Sequence, residues 1–216
     1  AMQLLKEKGI EIKAHIASIC GIKDDALDVC APDFSRIKND LFPVVNQDKG
    51  KAMQEEILKA KEELDSVGGT ICCYATGLPA GLGDPMFDGV ENQLAKTLFG
   101  IPAVRGIEFG AGFQAAEMRG SQHNDPFILK DRKIATETNH HGGVLGGITT
   151  GMPLIVKIAV KPTPSIGKKQ KTVSLSQMKE ENVAVSGRHD PCIVPRAVPV
   201  MEAVVACVLY DMIINQ

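Results

Sequence analysis

Two hydrophobic periods alternate along this chain, and the alternation restricts it to a layered fold of strands and helices. In residues 10–19, apolar Ile10, Ile12, Ala14 and Ile16 alternate with Glu11, Lys13 and His15. A period of two predicts a half-buried strand, and His15, on its polar side, is expected at the surface. Short apolar runs at 70–76, 103–109 and 154–160 predict three more strands. A period of 3.6 appears at 53–64, where Met53, Ile57, Ala60 and Leu64 share one face. It returns at 84–99, where Asp84 is a natural N-cap, Pro85 suits the first helical position, and Phe87, Val90, Leu94 and Leu98 point inward. Residues 113–118 predict a short helix. Residues 194–214 predict a long one, kinked or starting late at Pro199. The pattern gives an α/β or α+β layered fold, with no internal repeat and no linker, so 1–216 reads as a single domain.

The first residues read as the end of a helix stopped by Gly9, with no capping residue ahead of them. The chain is therefore expected to be a piece of something longer. Its 24 Lys and Arg against 26 Asp and Glu leave a net charge of -2, which argues against nucleic-acid binding. With 4% aromatics and no Trp, stacking platforms for single strands are not expected either. The apolar stretch near the C-terminus is interrupted by Pro195, Arg196, Pro199, Glu202 and Asp211, so no membrane span is expected. No signal-peptide pattern opens the chain, and a cytoplasmic location is expected. The six cysteines form no C-x-x-C pair and read as reduced thiols, with one of Cys72 and Cys73 directed into the core.

Polar residues concentrate in RGSQHND (119–125), the glycine-rich NHHGGVLGGITTG (139–151), KPTPS (161–165) and GRHDPC (187–192). Residues 119–151 lack periodicity and read as a long loop, as do 161–171. The glycine-rich run could cradle a phosphate or be an ordinary turn. It is neither a dinucleotide fingerprint nor a P-loop. Adjacent His140 and His141 point apart and are poorly placed to share a metal ion, and His123 reads as a turn residue. Arg188, His189 and Asp190 form the densest ionisable cluster. Arg188 offers a fork for phosphate or carboxylate, and Asp190 can tune the histidine or accept a proton. Lys161, on a proline-stiffened loop at a strand end, is a candidate anion contact or a snorkelling surface lysine. No metal site is indicated.

Together with GLGDPMFDGVENQLAKTLFGIPAVRGIEFG (81–110) and the continuation of the last cluster, GRHDPCIVPRAVPVMEA (187–203), these segments resemble the chorismate synthase family, in its order and spacing. The resemblance covers the C-terminal part of a member. The family's Gly-Glu-Ser-His-Gly signature, its arginine-rich segment and both catalytic histidines have no counterpart in this sequence. The resemblance implies a β-α-β sandwich, here incomplete, with exposed apolar edges. It implies a homotetramer when full-length and conversion of 5-enolpyruvylshikimate 3-phosphate to chorismate with reduced FMN, which some members reduce themselves with NADPH. By the same resemblance Asp190 takes a proton near the flavin, and Arg188 meets both flavin and substrate. Pro102, Ala103, Gly146, Lys161, Pro162, Thr163, Pro164 and Ser165 then match flavin-contacting segments. Some members carry Asn where this chain has Pro102, which leaves a backbone contact there.

Overall fold

The computed structural model describes residues 1–38, 41–130, 132–187 and 189–215. Its elements in chain order are α1 (Met2–Glu7), β1 (Glu11–Ile19), β2 (Ile22–Lys23), α2 (Gln47–Glu62), β3 (Gly69–Thr76), α3 (Val90–Leu98), β4 (Val104–Phe109), α4 (Gly120–His123), β5 (Phe127–Lys130), β6 (Lys133–Thr136), β7 (Val144–Leu145), β8 (Ile148–Thr149), β9 (Leu154–Val160), β10 (Gln170–Ser174), β11 (Lys179–Val183) and α5 (Val194–Ile214). Short 3-10 turns occupy Phe34–Arg36 and Gly112–Glu117. Five strands form one sheet in the order β2-β1-β3-β9-β4, antiparallel throughout. An antiparallel sheet with helices on a face makes the fold α+β layered rather than doubly wound.

The α5 helix lies against β1 and β3, with α1 and α3 packed beside it. Its buried face of Val194, Val198, Met201, Val205, Ala206 and Leu209 meets Ile12, Ala14, Ile16, Cys73 and Ala75 in the main core. By length and composition α5 could cross a membrane, but this stripe is committed to the sheet. The helix runs unbroken from Val194, with Pro195 in its first turn and Pro199 inside. The late start expected at Pro199 does not occur, because this proline lies barely a turn inside, where the backbone loses a single bond. On the other face, residues 24–38 and 41–45 return over β1 and β3. Leu27, Cys72, Tyr74 and Ile155 form a second cluster there, against Phe34, Ile37 and Val45. Both cysteines of the adjacent pair are therefore buried, one on each side.

That return overturns the expectation for His15, which is only 2% exposed. Its Nδ1 lies 3.1 Å from Asp24 Oδ2. Asp24 also accepts the Val45 and Asn46 N–H groups, at 2.6 and 2.9 Å. The alternation at 10–19 cannot reveal a loop that comes back over the polar side.

Other differences have local causes. The second helix starts earlier than expected, at Gln47, because Asn46 Oδ1 accepts the Asp48 and Lys49 N–H groups. Leu64, expected inward, is 59% exposed and left-handed at φ 57 just past the helix end. The third helix starts at Val90, not at Asp84. Met86 and Phe87 have φ of 50 and 62, and the Val90 N–H bonds Gly147 O at 2.9 Å. Phe87 is consequently exposed. Residues 119–151 are not one loop but carry α4, two hairpins and the glycine turn, and β10–β11 is a further unexpected hairpin.

Most of β1 has no strand beyond it, since β2 pairs only with Ser18 and Ile19. Two of its outward N–H groups are nonetheless bonded, Ala14 to Glu202 Oε1 at 2.7 Å and Ile16 to Pro43 O at 2.8 Å. At Ala14 and Ile16, therefore, the edge of β1 is closed to pairing. Replacing Glu202, buried in α5, with Leu should cost about 1–3 kcal/mol by orphaning the Ala14 N–H. Glu202→Gln, which keeps an acceptor, should cost less; equal losses in urea denaturation would contradict this role.

A second expected outcome concerns pH. Burial pulls the His15 pKa down, but the Asp24 hydrogen bond and the nearby Cys72 thiol outweigh it and raise the imidazole from 6.5 to about 9. A raised value contributes stability that is whole below the unfolded 6.5 and is lost as pH rises through about 9, on the order of 3 kcal/mol. Asp24, held below the ordinary carboxylate range despite burial, loses its share as pH falls below 3.8. The urea midpoint should therefore fall between pH 6.5 and 9, and His15→Leu should flatten that decline.

Candidate functional site

The Val160 end of the sheet collects three of the predicted segments. Ile101 and Val104 close a turn (Val104 N–H to Ile101 O, 3.3 Å) with Pro102 and Ala103 at its centre. Proline suits the second position of such a turn, while Ala103 takes φ 73 without being glycine. The Ala103 carbonyl accepts the Lys161 N–H at 2.9 Å, which fixes the start of the 161–165 loop. The Thr163 carbonyl accepts the Ser66 hydroxyl at 2.6 Å. The Leu64 carbonyl accepts the Gly167 and Lys168 N–H groups at 3.0 and 3.2 Å, and Lys168 bridges Asp65 and Glu63 at 2.8 and 3.4 Å. The segment after α2 is thus the seam to which this loop is stitched.

The same seam holds the third segment, since the Val67 N–H donates to Pro191 O at 2.8 Å. Gly68 lets the parts approach: a Cβ there would stand 2.5 Å from Val160 O and 2.9 Å from Pro162 N. Asp190 follows at the rim of an open cavity of about 650 Å³ lined by Lys61, His189, Asp190, Pro191 and Arg196. Its carboxylate pairs with Arg196, and Oδ1 receives the Cys192 N–H at a long 3.4 Å. His189 Nε2 lies 2.7 Å from Val185 O. Arg188 lies outside the described residues.

Two cations, Lys61 and Arg196, therefore face a recess beside one carboxylate, an arrangement suited to an anionic ligand. Neither follows from the sequence pattern. Lys61 comes from a distant helix, and Arg196 reads as one more residue of α5. A further feature is chemical: the Thr163 hydroxyl is buried and has no partner among the described residues. A buried hydroxyl without a partner is costly, and this one lies in a loop whose Lys161 N–H and Thr163 carbonyl are engaged.

Gly146 is not brought to this place. With Gly147 it forms the turn between β7 and β8, both at positive φ, 61 and 86. That turn lies beyond the Leu154 end of β9, linked through Gly143 and Gly142 to Thr150 and Ile155. A seven-residue strand separates it from Lys161 by roughly 20 Å. The polar clusters near it serve the loop architecture. Asp125 accepts the His140 and His141 N–H groups at 2.7 and 3.0 Å and the Thr138 hydroxyl at 2.7 Å. His123 meets the His141 ring edge-on, with centroids 4.5 Å apart. Asn139 bonds Val29 O, Pro153 O and the Gly143 N–H. Among the described residues, no group of three or more His, Cys, Asp and Glu side chains is arranged to hold a metal ion.

Comparison with known proteins agrees over the whole chain. The chorismate synthase family matches residues 1–214. Chorismate synthase of Thermococcus gammatolerans is 48% identical over 216 residues, covering 100% of this chain and 60% of that protein. The enzyme of Korarchaeum cryptofilum is 45% identical over 217 residues, covering 100% and 59%. A crystal structure of chorismate synthase superposes with a TM-score of 0.81 at 26% identity, over 99% of this chain and 60% of that one. The chain thus spans about 60% of the length of the relatives it matches. With the match running from the first helix into the last, the chain belongs to the chorismate synthase family.

Proposed function

We propose that the intact protein is a chorismate synthase, a lyase converting 5-enolpyruvylshikimate 3-phosphate to chorismate and phosphate by anti-1,4-elimination, and that residues 1–216 are one incomplete domain of it. The observation that carries this reading is the meeting of 102–103, 161–165 and Asp190 at one sheet end, in a chain whose family match covers residues 1–214.

The residues at that end fit a flavin mononucleotide. The unpartnered Thr163 hydroxyl calls for a polar ligand atom; Lys161 in the same loop, and Lys61 and Arg196 at the Asp190 recess, are cations suited to a phosphate. Reduced FMN, when bound, supplies electron density as phosphate leaves and takes up the ring hydrogen. In this reading Pro102 and Ala103 offer backbone contacts, and 161–165 hold the cofactor's polar groups. Arg188 binds substrate and cofactor, and the Asp190 carboxylate takes up a proton. Gly146 belongs to the set only if the ligand extends along the sheet. The intact protein acts in the cytoplasm as a homotetramer, without nucleic acid or membrane.

The span of about 60% carries the second reading: this chain alone is a non-catalytic fragment that folds and self-associates. The family's catalytic histidines have no counterpart in it, and none of its five histidines takes their place.

Titration of the chain with FMN should show saturable binding, and Lys161→Ala should weaken it about tenfold. No saturable binding would mean that these segments keep the family's sequence without its pocket. In the full-length protein, anaerobic turnover with reduced FMN should fall at least about a hundredfold in Asp190→Asn. Unchanged turnover would remove Asp190 from the chemistry.

A further inference from the structure

A row of chemically active side chains crosses the sheet on the face away from α5. His15 pairs in register with Cys72, Cys72 with Lys157, and Lys157 with Glu108. Directly opposed residues share a face, with Cβ atoms roughly 5 Å apart. Cys72 is therefore flanked by an imidazole on one side and an ammonium on the other. All four line a cavity of about 460 Å³, together with Asp24, Lys23, Asp25 and Tyr74.

Within that cavity the imidazole is oriented. Asp24 holds His15 Nδ1 at 3.1 Å, while Nε2 is buried with no partner among the described residues. The ring also stacks on Tyr74, centroids 6.1 Å apart at 18°. A carboxylate that fixes one imidazole nitrogen leaves the other for a neighbouring nucleophile. Cys73, its neighbour in sequence, points to the opposite face and is sealed in the main core.

From this geometry we infer that Cys72 is a nucleophilic thiol, activated by His15 under the hold of Asp24 and by Lys157, and open through the cavity to small uncharged electrophiles such as haloacetamides or unsaturated carbonyl compounds. Lys23 and Lys157 balance Asp25 and Glu108 along the lining, so no charge on the ligand is selected. The raised proton affinity of His15 agrees, since an imidazolium beside sulfur favours the thiolate. In alkylation the S–C bond forms as the carbon–halogen bond breaks. Halide leaves with the bonding pair, and the thiol proton stays on His15 Nε2. No oxidant is required, and the inference does not rest on the flavin reading.

The test is alkylation of the folded chain with iodoacetamide from pH 5.5 to 9.5, read residue by residue by peptide mass spectrometry. The exposed Cys20 and Cys207 are internal standards. At pH 7 Cys72 should label at least about tenfold faster than either of them. His15→Gln should slow it about tenfold at pH 7, with circular dichroism confirming the fold. If that variant unfolds, Lys157→Gln, whose side chain is 38% exposed, should slow Cys72 labelling at pH 7 instead. Failure of Cys72 to label while folded, a profile matching Cys207, or rates unmoved in the folded variants would each overturn the inference.

Discussion

The middle of β3 is buried on both faces, and much of the rest follows from that constraint. Its backbone is bonded to β1 on one edge and β9 on the other, and Ile71 to Ala75 are buried in succession. A strand enclosed in this way needs cover on both faces. The α5 helix supplies one cover, and the 24–45 return supplies the other. The strand's start is equally constrained, because Gly68 and Gly69 pass between β1 and the 160–162 segment with no room for a side chain. The seam that gathers the 161–165 loop and the Asp190 loop is the chain's approach to this strand, so the site's position is a consequence of the core.

The buried and half-buried carboxylates follow one logic. Burial of a carboxylate is tolerated when backbone or hydroxyl donors surround it. Asp24 fixes the 24–45 return by accepting two N–H groups and facing His15. Glu202 ties α5 to the open side of β1. Asp125 gathers the 138–141 backbone. Each joins segments distant in sequence, at points where a strand ladder is lacking.

The sequence exposes this architecture where one element alone decides it. Strands β1, β3, β4 and β9 and the last helix are legible because a single hydrophobic period sets each. Features set by two segments are not. His15 is buried by a loop nine residues on, and the third helix begins where a glycine turn far along the chain meets Val90. The β5–β6 and β10–β11 hairpins escape for another reason. Phe127, Leu129, Ile134, Val173 and Val183 are all exposed, so neither hairpin writes an inward–outward alternation. At the candidate site, the 161–165 and 187–192 motifs are legible as motifs. Their meeting, and the contribution of Lys61, Ser66 and Arg196, depends on a seam that no spacing encodes.

The manner in which each carboxylate is held separates Asp190 from the others. Asp24 and Asp125 lie below the ordinary carboxylate range, because backbone and side-chain donors outweigh the opposing effect of burial. Protonating either would break bonds that hold a loop in place, so neither can cycle a proton without loosening the fold. Asp190 receives one long backbone bond and a side chain from α5 whose guanidinium is largely exposed. It borders an open recess rather than a closed seam. Such light anchoring suits the proton-accepting role proposed for Asp190, because its partner can turn to solvent or to a ligand while the backbone stays in place.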